Sequence, residues 1–324
     1  MRSNNKQLGK LNWLASWVTP VVALVGYLAF WPTPADPVAW HPPKDAGYTG
    51  SHAANEKLAD LQQWSLASGQ EGPEFFVANG GVLYTGLNNG DVLKINTDGQ
   101  QPEIVVNTGG RPLGLDVDGQ GRLLVADAMK GLLRVSGRGA EAKIETLLEK
   151  VSHPVADDRV RYPDAVKVGP GGIIWLTDAS RRFGAKELGS TFEASVLDVL
   201  EHSCTGRVIA QDPNTLVARV AIAGMCFPNG IEFSRDGKTM YVSETGTYRI
   251  LAVDLAKLSL VRTSAGDNGV PTLDQAMKAG AVRVFVDNLP GFPDNLTRSS
   301  SNRLWVGLTK PRSPVIDAMA AYPF

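Results

Sequence analysis

Short apolar runs closed by Gly, Asp, Asn or Ser turns recur along most of this chain, the pattern of strands joined in tight hairpins. Three stretches show it in full: Leu115–Asp127, Val166–Asp178 and Ile231–Glu244 each read strand, turn, strand, with Gly or Asn supplying the positive φ that such turns need. A similar unit occupies Phe75–Leu87, and further strands are predicted at Gly131–Val135, Gly206–Gln211, Leu216–Ile222 and Tyr248–Leu255. Helical patterning is confined to Glu141–Lys150, Glu193–Glu201 and Leu273–Ala279.

Each hairpin follows a related peptide: Arg-Pro-Leu-Gly-Leu at 111–115, Tyr-Pro-Asp-Ala-Val at 162–166, Phe-Pro-Asn-Gly-Ile at 227–231 and Phe-Pro-Asp-Asn-Leu at 292–296. Taking Leu113, Asp164, Asn229 and Asp294 as register marks, the repeats are 51, 65 and 65 residues apart, room for a sheet of about four strands. That period predicts an all-β propeller and disfavours a β-solenoid, whose repeats are shorter.

The first sixty residues differ. Arg2, Lys6 and Lys10 give residues 1–10 a basic character, and Leu11–Trp31 then runs without a charge. A helix of that length, at about 1.5 Å per residue, reaches across a bilayer core of about 30 Å. The expectation is a single uncleaved anchor at 11–31 with tryptophans near its ends, a cytoplasmic N-terminus, a Pro-rich spacer at 32–60, and a propeller at 61–324 on the periplasmic, lumenal or extracellular side. A cleaved secretory signal, the alternative, usually has a shorter apolar core.

Composition, at 43% hydrophobic and 20% charged, fits an ordered domain, and a net charge of −1 gives no basis for a nucleic-acid partner. Cys204 and Cys226 flank a hairpin turning at Asp212-Pro213-Asn214-Thr215, which allows either a disulfide or two buried thiols. The four histidines, His41, His52, His153 and His202, have no paired spacing, which disfavours zinc; His153 and His202 read as surface residues. No Gly-x-Ser-x-Gly elbow is present. Trp175 and Trp305 read as sheet core, and Arg181-Arg182 as a solvated loop or a reader of anionic substrates.

Equivalent positions of a radial repeat converge on its axis, so Asp164, Asn229 and Asp294 are brought together. Taken singly, each is equally well explained by turn hydrogen bonds; their recurrence favours a metal or polar axial site, and mixed carboxylate and amide oxygens suit calcium.

Glu71-Gly72-Pro73-Glu74, Gly110–Leu115, Phe227–Gly230 and Pro290–Asn295 together resemble the strictosidine synthase-like branch of the gluconolactonase, senescence-marker and paraoxonase superfamily, most of all its membrane-anchored adipocyte type. The resemblance covers about Leu61 to Phe324. It implies a six-bladed propeller, of which about five blades fall in this chain, with calcium or another divalent cation on the axis. It also implies metal ligands at Glu71, Asn229, Asp294 and Asn295, and a base at Asp164 that is otherwise a ligand or a structural acid. The activity implied is hydrolysis of small ester or lactone substrates by metal polarisation of the carbonyl. Leu113 stands where the paraoxonases have a histidine, and the glutamate of true strictosidine synthases has no counterpart before Phe324, so their condensation reaction is not expected. A non-enzymatic, membrane-anchored binding scaffold with structural calcium, or an inactive truncated member, is the competing expectation.

Overall fold

The structure, a computed structural model, describes residues 17–28, 30–99, 102–153, 158–261, 263 and 268–322. The chain divides into two units, Met1–Asp36 and Pro37–Phe324. In the first, residues 17–28 are helical. No helix among the described residues is long and apolar enough to cross a membrane, and the predicted anchor at 11–31 lies partly outside them.

The second unit contains four antiparallel four-stranded meanders. They are β1–β4 (Phe76–Asn79, Val82–Gly86, Asp91–Asn96, Glu103–Asn107), β5–β8 (Pro112–Val117, Leu123–Asp127, Gly131–Ser136, Lys143–Leu148), then, after the small pair β9–β10 (Lys150–Val151, Asp158–Arg159), β11–β14 (Pro163–Val168, Ile174–Asp178, Gly206–Gln211, Ala218–Met225) and β15–β18 (Pro228–Phe233, Thr239–Glu244, Arg249–Asp254, Val282–Val286). A two-stranded sheet, β19–β20 (Gly291–Arg298, Leu304–Pro311), follows.

Consecutive sheets pack face to face in a propeller-like arrangement. Val77 and Val92 meet Leu115 and Val125; Leu124 and Leu132 meet Val166 and Leu176; Val208 and Ile222 meet Ile231 and Val242; Ile250 meets Leu296. A middle sheet is therefore covered on both faces, which is why strands such as Leu123–Asp127 are apolar at nearly every position instead of alternating. At about 25 cal/mol per Å² of apolar surface removed from water, these shared layers supply the main cohesive force.

The first strands of successive sheets lie side by side, and two glycines make this possible. A Cβ on Gly114 would stand 2.6 Å from the Asp164 carbonyl, and one on Gly230 would stand 2.4 Å from the Leu296 amide.

Two helical expectations hold, as Thr191–Glu201 (α1) and Leu273–Lys278 (α2), and a third helix spans Pro314–Met319 (α3). The expected helix at Glu141–Lys150 is instead β8, paired with β7 through Leu133↔Thr146 and Val135↔Ile144; ladder hydrogen bonds to the preceding strand override a locally helical composition. Asp212 Oδ1 accepts the Asn214 and Thr215 amides at 2.8 and 3.0 Å, forming the expected turn, and Cys204 and Cys226 are joined in a disulfide. His202 is not a surface residue: it is buried, stacked on Trp40 at 4.2 Å, and burial, then Arg249, lowers its pKa to about 4. Trp175 packs edge-on against Phe233, whereas Trp305, on the two-stranded sheet, is half exposed.

Residues 38–44 run as a strap over one end of this unit. Val38 N–H donates to the Glu201 carbonyl and Trp40 N–H to that of Ala320, while Arg312 reaches the Pro43 carbonyl.

Candidate functional site

Each first strand of the last four sheets carries an irregularity at the same place. In β5, β11 and β15 the residues from the initial proline to the third residue beyond it oppose two steps on the partner strand, as in Pro163↔Asp178 followed by Val166↔Leu176, and β19 repeats this from Pro293 to Leu296. Such a bulge re-aims the extra residue, and the proline has no N–H to leave unpaired. The re-aimed residues are Leu113, Asp164, Asn229 and Asp294. All four line one cavity of about 460 Å³.

Hydroxyls on second strands, or just past their ends, fix the bulges of the following sheets. Thr177 Oγ1 donates to the Asn229 carbonyl at 2.9 Å, Ser243 Oγ to that of Asp294 at 2.5 Å, and Thr245 Oγ1 to that of Pro293 at 2.6 Å. The sequence reading missed these residues. Their signal is the hydroxyl that immediately precedes the closing acid in Thr177-Asp178 and Ser243-Glu244.

The acid contributed by the first sheet is Glu74. Glu71, predicted for this place, is exposed and does not line the cavity; its carbonyl accepts the Asn88 amide. Glu74 lines the wall, 3.3 Å from Arg111 Nη2, and Arg111 also donates to the Pro112 carbonyl. Asn295 lies beside Asp294 but outside the cavity lining, and its buried Nδ2 has no partner.

Three carboxyls thus share one low-dielectric space. Burial, then Asp294, then Glu74 hold Asp164 well above the carboxylate range, against the pull of Arg111. Burial and Glu74 raise Asp294 to about 7, opposed by Asn229 and the Asn295 amide, and burial also raises Glu74. Asn229 Nδ2 donates to Asp164 Oδ2 at 3.4 Å, while its Oδ1 is buried without a partner. Three acids crowded in one buried space and an orphaned amide oxygen form a donor set that fits a hard divalent cation, which would neutralise the repulsion and take up the free oxygen.

The remaining walls are mostly apolar: Phe192, Val196, Val199 and Leu200 of α1, with Phe227, Phe292 and Ile316. Ser190 caps α1 through the Glu193 amide, and Tyr162, whose pKa burial raises, donates its hydroxyl to the Thr191 carbonyl at 3.0 Å. Arg181 and Arg182 do not line the cavity; they pair with Asp158 at 3.0 Å and Glu201 at 3.2 Å.

Family models described as strictosidine synthase and as strictosidine synthase-like, N-terminal, match residues 164–253 and 50–95. An Arabidopsis thaliana protein named strictosidine synthase-like 6 is 31% identical over 250 residues, covering 75% of this chain and 57% of that protein. A Danio rerio adipocyte plasma membrane-associated protein is 30% identical over 278 residues, covering 82% of this chain and 59% of that protein. The chain therefore spans less than two thirds of the length of these relatives. Among solved structures, a putative gluconolactonase superposes with a TM-score of 0.53 at 16% identity, covering 75% of this chain and 73% of that one, and so shares the fold. By its family-model matches and these relatives, the chain belongs to the strictosidine synthase-like family.

Proposed function

We propose that the cavity binds a divalent cation, with calcium the best match to its oxygen donors, and hydrolyses esters or lactones. The observation that carries this reading is the convergence of Asp164, Asn229 and Asp294 from equivalent bulges, with Asn229 Oδ1 unsatisfied and Asp164 raised by Asp294 and Glu74. Asn229, Asp294 and Glu74 are the residues that would hold the ion; Glu74 takes the place predicted for Glu71, and Asn295 serves Asp294 through its backbone amide. When bound, such an ion supplies Lewis-acid polarisation of a carbonyl oxygen.

Asp164 acts as the base. Its carboxyl is oriented by Asn229 Nδ2, and its raised proton affinity suits it to take a proton from water as the water adds to the carbonyl. The apolar wall of α1 excludes bulk water and receives the rest of the substrate. The same reading includes a six-bladed ring and a membrane anchor at 11–31 with the N-terminus cytoplasmic. Relatives named for plasma-membrane association support that location.

The test is a pair of variants scored on two readouts. Calcium at about a hundred times its dissociation constant should stabilise the protein by about 2.7 kcal/mol, and Asp294→Asn should remove that increment. Asp164→Asn should keep it while lowering turnover of phenyl acetate and simple lactones by about a hundredfold or more. Identical melting curves in calcium and EDTA would sink the cation site. Cation binding without hydrolysis of either substrate class would sink the hydrolase.

A further inference from the structure

Beside the acidic cavity lies an open bay of about 540 Å³, and the two share Asn88, Arg111, Thr191 and Phe192. Their linings differ in charge. The cavity is lined by Glu74, Asp164 and Asp294 together with Arg111 and Lys310, whereas the bay is lined by Lys130, Lys186 and Arg111 and by no carboxylate. Arg111 forms the partition, tied to Glu74 on the cavity side.

The two lysines differ from the other cations on this rim. Arg161 pairs with Glu187 at 4.0 Å, Arg181 with Asp158 and Arg182 with Glu201, but Lys130 and Lys186 have no ion pair among the described residues. Backbone without side chains lies beside them. A Cβ on Gly109 would sit 3.9 Å from Lys130 Nζ, so the ammonium stands beside bare backbone at the bay wall. Both lysines also border a smaller recess that holds Glu149 and Glu187, but on the bay side they face no carboxylate, and there they concentrate a positive field.

We propose that this bay binds an anionic substituent, such as a carboxylate, of the ester or lactone whose carbonyl enters the acidic cavity. The inference rests on the hydrolase reading and adds the substrate class. An anionic group placed against Lys130 and Lys186 meets opposite charge outside the axial cavity, so the two lysines fix which end of the substrate faces the three acids.

The experiment compares two hydrolysis-inert anilides by calorimetric titration of the calcium-loaded protein. Glutaranilate carries a terminal carboxylate, and valeranilide is its neutral counterpart. Glutaranilate should bind about tenfold more tightly at low salt, the scale of two partly exposed charge contacts. That preference should fall as salt rises. The Lys130→Gln, Lys186→Gln double variant should bind valeranilide unchanged and lose the preference. Equal affinity for the two anilides in the unaltered protein, or a preference that survives in the double variant, overturns the inference. Because neither anilide is hydrolysed, the outcome is independent of the phenyl acetate and lactone assays that test the hydrolase reading.

Discussion

Two sets of carboxylates recur with the repeat, and they behave in opposite ways. Asp127, Asp178 and Glu244 close the second strands of consecutive sheets, and each is surrounded by donors. Asp127 Oδ1 accepts the amides of Arg111, Met129 and Lys130. Asp178 accepts those of Arg161 and Tyr162 and the Arg207 guanidinium at 2.8 Å. Glu244 accepts the Cys226 amide, Thr247 and Arg249. The axial set, Asp164 and Asp294 with Asn229 between them, has few donors; burial raises Asp178 against the pull of Arg207 and two amides, whereas at Asp164 and Asp294 neighbouring acids add to the burial. Recurrence alone marks architecture; recurrence combined with unmet hydrogen-bonding capacity marks a site prepared for something else.

The sharpest way to break this comparison is to delete one member of each set. Asp178→Ala leaves the buried Arg207 with Asp158 as its one carboxylate partner and two strand-entry amides without theirs, and should cost about 3 kcal/mol in urea denaturation. Asp164→Asn removes a repelling charge and should leave the cation-free protein as stable as before, or more so. Equal losses in the two variants would erase the distinction.

A pH titration of the cation-free protein should show the next largest effect. Asp294 holds its proton to about pH 7 when folded but releases it near the ordinary value of 3.8 when unfolded. Between those values the native state binds more protons than the unfolded one, so stability is fully present below about pH 4 and lost as pH rises through about 7. The loss should be on the order of a few kcal/mol, since Asp164 and Glu74 shift in the same direction. Asp294→Asn should flatten the profile, and stability rising over this window would contradict the assignment. The smallest effect is expected at Tyr162→Phe, which frees the Thr191 carbonyl at the start of α1. It should cost about 1 kcal/mol and speed amide exchange in α1, and an unchanged exchange rate there would show that the tether does not hold the helix.

The hairpins and the axial marks were legible in the sequence because proline, an Asp, Asn or Gly, and an apolar run recur in a fixed order, and local chemistry alone dictates strand, bulge and turn. Glu74 was not legible. Glu71-Gly72-Pro73-Glu74 offers two acids in a segment outside any ladder, so only the path of the chain decides which one reaches the cavity. The strand Lys143–Leu148 escaped for a related reason, since its partner fixes it and its own composition does not. Lys130 and Lys186 escaped because they lie in connections of different sheets, between β6 and β7 and between β12 and β13, and nothing in their spacing announces that they share a bay.

The bulges have an evolutionary consequence. Each is held by main-chain contacts: a proline at its start, hydroxyls of the preceding sheet at Asn229 and Asp294, and glycines that admit the neighbouring strand beside Gly114 and Gly230. None of these supports depends on the axial side chain, so that position is an interchangeable socket. Leucine, aspartate, asparagine and aspartate occupy four such sockets here, and exchanging one rewrites the reactive centre without disturbing the ladder that carries it. A scaffold of this kind can move between binding and catalysis by single substitutions, each of which leaves a foldable protein for selection to act on.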